Sequence, residues 1–390
     1  MMLSRSFTAL SLLWLQLQSA TAATPYSQLM LDSVIARSTP LGLNAAGKVT
    51  TTYEHGVIER ALQMVYNVTG DSKYYNYQKK GVDNIIDSNG KLLDYDLTVY
   101  TLDDMRLGQE FLHLYRMTGQ AKYKNAADTL RKQINVQPRN SEGGYWHRNV
   151  YPNQMWLDGQ YMLNPFYAEY TSIFQPTNTT AWNDILLQYQ LIHAHTLNTT
   201  SGLLAHGYDG GKTASWADPV TGAAPHVWIR ALGWYTMSLL DVLDYFPPSH
   251  AGFAELKGYF TSCMEAVRAA ADPATGGWWL VMDQPGRDKN YIESSGTAMF
   301  VYSFLKGLRV GYLTGASGKD LAAAEKAYQY MVKQFVKVAA NGTADWLGTV
   351  EVGSLGGKAD YDYYVNVALR TNDLKGIGPF VYASVEYERL

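Results

Sequence analysis

A carboxylate set among apolar and aromatic residues is the first candidate for chemistry. In Gln154-Met155-Trp156-Leu157-Asp158-Gly159-Gln160-Tyr161-Met162, Asp158 stands among Met155, Trp156, Leu157 and Met162. Desolvation in such surroundings favours the neutral acid and raises its pKa, which suits a general acid working near neutral pH. The other reading is that Asp158 caps the helix that follows, a common task for aspartate. Upstream, the glycine-rich loop Glu142-Gly143-Gly144-Tyr145-Trp146-His147-Arg148 delivers His147 beside Trp146.

A second pair of acids lies in Tyr100-Thr101-Leu102-Asp103-Asp104-Met105-Arg106. Paired acids at a helix start complement its dipole. Alternatively one of them faces Asp158, and the like charge would raise one pKa of the pair. A third group joins Leu204-Ala205-His206-Gly207-Tyr208-Asp209 to His226-Val227-Trp228-Ile229-Arg230-Ala231-Leu232-Gly233-Trp234-Tyr235. In a helix beginning near Trp228, Arg230 and Trp234 share a face and set a planar cation beside an indole. That pair is either a cation–π brace or a clamp for a carboxylate and a sugar ring.

Other signals fail on spacing. Gly211-Lys212-Thr213 lacks the earlier glycine of a phosphate-binding loop, whose place His206 takes. Gly353-Ser354-Leu355-Gly356-Gly357 has its glycines in the wrong places for a nucleophile elbow. His193 and His195 would point to different faces of a helix, and no H-E-x-x-H occurs, so no metal site is expected.

The elements that must position these residues are helical. Apolar residues recur at helical spacing in Ile58-Glu59-Arg60-Ala61-Leu62-Gln63-Met64-Val65-Tyr66. The segment Leu62 to Ile85 reads as helix, break, helix around Thr69-Gly70-Asp71-Ser72-Lys73-Tyr74. Phe111 to Ile134 repeats it around Thr118-Gly119-Gln120-Ala121-Lys122-Tyr123, and a third pair turns near Thr314-Gly315. A glycine in that slot ends the first helix with a left-handed cap. The repeat predicts antiparallel hairpins of about fifty residues, roughly seven or fewer in the mature chain, stacked as an open solenoid or closed into a toroid. Aromatic, glycine-rich stretches between helices favour closure, with loops gathered at one mouth.

Composition narrows the partners. Of 390 residues, 47% are hydrophobic and 17% charged, with a net charge of −3, so nothing condenses on a phosphate backbone and nucleic acid is excluded as a partner. The single cysteine rules out an intrachain disulfide. The 30 tyrosines and 10 tryptophans suit a core that also lines a wet cleft. Arg5, the apolar run Phe7 to Leu17 and Ala20-Thr21-Ala22 read as a secretory signal over residues 1–22, leaving residues 23–390 as one catalytic domain. No later run is long enough to span a bilayer, so a secreted extracellular protein without membrane contact is expected, as a monomer. N-x-Thr sequons at Asn67, Asn178, Asn198 and Asn341 are candidate glycosylation sites.

The runs Gly144-Tyr145-Trp146-His147-Arg148, Gln154-Met155-Trp156-Leu157-Asp158-Gly159 and Trp228-Ile229-Arg230-Ala231-Leu232-Gly233-Trp234-Tyr235 resemble glycoside hydrolase family 105, the unsaturated rhamnogalacturonyl hydrolases. Glu293-Ser294-Ser295-Gly296-Thr297-Ala298-Met299 and Lys375-Gly376-Ile377-Gly378-Pro379-Phe380 resemble its later motifs, so the likeness runs from about Tyr53 to the C-terminus. The resemblance implies an all-α fold, an (α/α)6 toroid of six hairpins. It implies removal of a 4,5-unsaturated galacturonic acid from rhamnogalacturonan lyase products by hydrating the C4=C5 double bond, a step in pectin degradation.

Asp158 matches the family's catalytic aspartate, which protonates C4. Asp103 takes the place of its second aspartate, with Asp104 the alternative. His147, Arg148, Trp156, His206, Trp228, Arg230 and Trp234 are implied to line the pocket for an unsaturated uronic-acid oligosaccharide. Arg148 stands where many relatives have lysine, which keeps the charge and changes its geometry. No cofactor is implied. The same scaffold serves unsaturated glucuronyl hydrolases that act on other lyase products. A non-catalytic sugar-binding toroid is the alternative outside enzymes, and an intact motif around Asp158 argues against it.

Overall fold

The computed structural model describes residues 24–314 and 318–390. The expected leader lies outside these residues, as does Gly315 of the third hairpin turn. The helices run in chain order as α1 (Tyr26–Ala36), α2 (Tyr53–Thr69), α3 (Ser72–Asn84), α4 (Gly108–Thr118), α5 (Ala121–Val136), α6 (Leu157–Phe174) and α7 (Thr179–Thr196). They continue as α8 (Ile229–Leu243), α9 (Gly252–Ala269), α10 (Ser294–Arg309), α11 (Lys319–Phe335), the short α12 (Tyr361–Val365) and α13 (Leu374–Tyr387).

The first two repeats are the hairpins α2–α3 and α4–α5. Gly70 and Gly119 close their first helices in the left-handed conformation, at φ +69° and +67°, and their amides donate to Tyr66 O and Tyr115 O. A side chain at either position would strain that cap. Asp71 then starts α3 by accepting from the Lys73 amide at 3.0 Å. The first helix of the hairpin runs on to Thr69, one turn past the apolar stripe that ends at Tyr66.

Closure is a fact of adjacency. α2 packs on α4, α4 on α6, α6 on α8, α8 on α10, α10 on α13, and α13 returns to α2. The outer partners are α3, α5, α7, α9 and α11, and α1 supplies the sixth by packing on α13. The amide and hydroxyl of Ser27 donate to the Glu388 carboxylate, the amide at 2.9 Å, and so tie the two ends of the chain. The architecture is a toroid of six helix hairpins. Burial follows the layer: every residue of α8 is buried, whereas α5 buries only the stripe Tyr123, Ala126, Ala127, Leu130, Gln133 and Ile134.

Among the described residues six short strands form three antiparallel ribbons: β1 (Gln154–Trp156) with β2 (Gly207–Asp209), β3 (Val336–Val338) with β4 (Ala344–Trp346), and β5 (Thr349–Val350) with β6 (Leu369–Arg370). Only the first and third bear on the site. Among the described residues no helix is long and apolar enough to cross a membrane. The sequons Asn67, Asn198 and Asn341 are exposed. Asn178 instead caps α7, accepting from the Ala181 amide at 3.1 Å while its Nδ2 donates to Gln175 at 3.2 Å.

Candidate active site

Two strips of backbone bring the distant motifs to one mouth of the ring. In the first, the Leu102 amide donates to His147 O at 3.0 Å and the His147 amide to Gln154 O at 2.8 Å, so Asp103 is set beside His147. In the second, β1 pairs with β2 in the register Trp156↔Gly207, and the Leu157 amide donates to His206 O at 2.9 Å. That register places His206 beside Asp158. It requires Gly207, since a Cβ there would lie 2.5 Å from Met155 O. The His206 amide donates in turn to His226 O at 3.0 Å, which joins the strip to the start of α8.

Asp158 occupies the second position of α6 and caps nothing; no side chain caps that helix. Its Oδ2 lies 3.1 Å from His206 Nε2, within hydrogen-bond distance, and its side chain remains 15% exposed. The expected rise in its pKa is corrected here. Burial does push the carboxyl up, but the hydrogen bond from His206 and the fields of His206, His147 and Arg230 outweigh it, and the group is held below the usual aspartate range.

The raised carboxyls are the other pair. Asp103 opens a 3-10 turn, Asp103–Leu107, that leads into α4, and its Oδ1 lies 3.7 Å from His147 Nε2. Burial lifts it, the field of His147 opposes, and the charge of Asp158 adds to the lift, leaving Asp103 above its ordinary range. Asp104, beside it, is raised to about 7 by burial and by the charge of Asp103. His147 is lowered by burial, against the charges of Asp103 and Asp158. The site therefore holds carboxyls pushed in opposite directions, Asp158 down and Asp103 and Asp104 up.

Aromatic rings hold these groups in place. Trp156 lies between His147, stacked at 4.3 Å, and Tyr151, stacked at 4.7 Å, with His206 on its edge at 5.9 Å. Trp228 faces His206 at 4.8 Å and carries the Arg230 guanidinium over its ring at 4.5 Å. The cation–π partner of Arg230 is thus Trp228 rather than Trp234. The same guanidinium donates to Ser295 Oγ at 3.2 Å, to Val350 O at 2.7 Å and to Glu351 O, so it braces the β5 segment against α8. Trp234 is buried, stacked on Tyr161 at 4.8 Å with Tyr53 against it edge-on. Arg148 differs from Arg230: its side chain makes no hydrogen bond to a described residue, its Nε is buried without a partner, and its charge bears on Asp103 and Asp104.

Sequence reasoning missed Tyr53, Tyr151 and Tyr364. The half-buried Tyr53 phenol is lifted by desolvation and lies within the fields of Arg230, Glu54, Asp103 and Asp158. The Tyr364 hydroxyl lies 2.7 Å from His206 Nδ1 across 158 residues, a separation that no motif spans. Among the described residues no group of three or more His, Cys, Asp or Glu side chains is arranged to hold a metal ion.

Carboxyls whose pKa values are pushed apart, flanked by imidazoles and walled by indoles and phenols, suit proton transfer to a sugar. The family model for Glycosyl Hydrolase Family 88 matches residues 26–390. A family 105 glycoside hydrolase from C. acetobutylicum superposes with a TM-score of 0.88 at 36% identity, covering 94% of this chain and all of that one. The 24.9 kDa protein of the picA locus of Rhizobium radiobacter is 35% identical over 210 residues, 52% of this chain and 89% of its own length. The unsaturated glucuronyl hydrolase of Bacillus sp. GL1 shares the fold, with a TM-score of 0.68 at 12% identity over 93% of this chain and 95% of that one. With residues 26–390 matched, the chain belongs to the glycoside hydrolases of families 88 and 105.

Proposed function

We propose that this glycosidase removes the 4,5-unsaturated galacturonic acid from the non-reducing end of rhamnogalacturonan lyase products, acts in pectin degradation, and is exported as a glycoprotein. The observation that carries the reading is the cleft-facing Asp158 carboxyl, oriented by His206 and opposed by the raised Asp103. Substrate brings its own carboxylate and excludes water, and both effects raise the pKa of Asp158 so that it takes up a proton in the complex. Asp158 then protonates C4, water adds at C5, and the hemiketal opens to a 5-keto-4-deoxyuronate and the free sugar. Because the uronate is destroyed by hydration, no displacement at the anomeric carbon is needed, unlike the two-carboxylate chemistry of ordinary glycosidases.

The guanidinium of Arg230 is committed to the β5 segment, so Arg148 is assigned the substrate carboxylate. Export rests on the leader-like residues 1–22, and glycan attachment on the exposed Asn67, Asn198 and Asn341. The test is incubation with lyase-treated rhamnogalacturonan while the ultraviolet absorbance of the conjugated uronate is followed. Its loss supports the proposal. Loss only with unsaturated glucuronides transfers the activity to the other lyase products, and no loss with either makes the toroid a binder.

A further inference from the structure

Tyr364 sits on α12, in the segment that returns from β5 over the mouth of the ring, and it is 1% exposed. Its hydroxyl lies 2.7 Å from His206 Nδ1 and has no other hydrogen-bond partner among the described residues. The ring lies along Trp228, the same indole that backs His206. His206 is 0% exposed, and its second nitrogen, Nε2, faces Asp158 Oδ2 at 3.1 Å.

Both edges of the imidazole select the same tautomer. On one edge a buried phenol O–H needs an acceptor, and Nδ1 is the only one within reach, so Nδ1 carries the lone pair. On the other edge a lone pair on Nε2 would face the lone pairs of an ionised carboxylate, so Nε2 carries the proton. We infer that Tyr364 is a positioning residue of the reaction, holding His206 as the Nε2–H tautomer so that the imidazole donates to Asp158 and cannot accept a proton from it.

The consequence concerns where the proton of Asp158 goes. An unprotonated imidazole nitrogen is a stronger base than a carboxylate, and at hydrogen-bond distance it would compete with C4 of the substrate. With its lone pair turned to Tyr364, His206 leaves the substrate as the acceptor. Its N–H also stabilises the carboxylate that forms when the proton leaves. This inference rests on the reading of Asp158 as the proton donor.

Two measurements test it. In protein labelled with nitrogen-15 at histidine, the His206 ring signals, assigned by their absence in His206→Asn, are expected to show an unprotonated, hydrogen-bonded Nδ1 and a protonated Nε2. Tyr364→Phe removes only the hydroxyl; the Nδ1 signal should shift, and kcat should fall about 10- to 100-fold with KM little changed, the cost of removing the outer partner of a metal-bound imidazole. Tyr363→Phe is the control on the same helix. Its hydroxyl accepts from the Ser354 amide at 2.9 Å, so its loss should loosen that loop and leave the His206 signals in place. A proton on Nδ1 in the unaltered protein, or a wild-type kcat in Tyr364→Phe, overturns the assignment. The nitrogen signals need no substrate, so they decide the role of Tyr364 even if the unsaturated uronate is not turned over.

Discussion

The 3-10 turn Asp103–Leu107 feeds two clusters of charge that behave in opposite ways, one at the cleft and one buried. Toward the cleft it carries Asp103, near His147, with Asp158 bonded to His206. Toward the interior it carries Arg106, fully buried, which donates to Gln109 at 2.6 Å and lies 3.5 Å from Glu110. Gln78 donates to the other oxygen of Glu110 at 2.7 Å, and Gln109 and Arg116 both donate to Glu169, at 2.7 and 2.5 Å. The interior acids are partnered by guanidinium, which never releases its proton, and by amides, which have none to exchange. The cleft acids are partnered by imidazole, whose hydrogen-bonding role toward an acid is set by the partner on its other nitrogen. Residues of the same type thus lock helices together in one place and move protons in the other, and the partner decides which.

The largest break in that contrast is Asp158→Asn. The amide keeps the shape and loses the proton, and general acid catalysis contributes about 10² to 10⁴ in rate. The purified variant is expected to melt like the unaltered protein and to lose activity by that factor; more than a tenth of wild-type turnover would move the acid elsewhere. Next comes the interior cluster. Arg106→Met leaves Glu110 buried without its cation, a change that costs about 3 to 5 kcal/mol. Urea unfolding should register that loss while the folded fraction keeps its turnover.

Arg148→Ala tests the assignment of the substrate carboxylate. Loss of a hydrogen bond to a charged group costs about 1.5 to 3 kcal/mol, so KM for the unsaturated disaccharide should rise roughly tenfold to over a hundredfold. An unchanged KM would return that task to Arg230. A last test sharpens the comparison through pH. Asp104 has its folded pKa raised from 3.8 to about 7, so the unfolded chain releases this proton first and the native state is penalised as pH rises. Asp104→Asn removes the penalty: the variant should match the unaltered protein below about 3.8, gain on it through that window and hold the gain above about 7. Asp158 has the reverse sign, since its lowered pKa adds stability that is present above the ordinary aspartate range and lost as pH falls. Urea midpoints across pH for Asp104→Asn and Asp158→Asn should therefore diverge.

Much of the fold was legible in short stretches. The helical periodicity of Ile58 to Tyr66 and the glycines at positions 70 and 119 identify the hairpin, because a stripe and a cap involve residues within a turn or two of each other. The aromatic setting of Asp158 marked the site for the same reason. The sequence by itself determined the repeating unit, its turns and the stretches that carry chemistry.

Ring closure, and what each site residue does, were decided only in the tertiary structure. Asp158 looked like a desolvated acid because its chain neighbours are apolar, yet against that burial its pKa is lowered by His206, 48 residues away, and by His147 and Arg230. Arg230 looked like the partner of Trp234, its neighbour on the helix. Its guanidinium instead reaches Val350 and Glu351, brought in by a ribbon more than a hundred residues later. The physical reason is range. Helix periodicity and capping are local, whereas ionisation and hydrogen bonding follow whichever polar groups the closed ring places within a few ångströms.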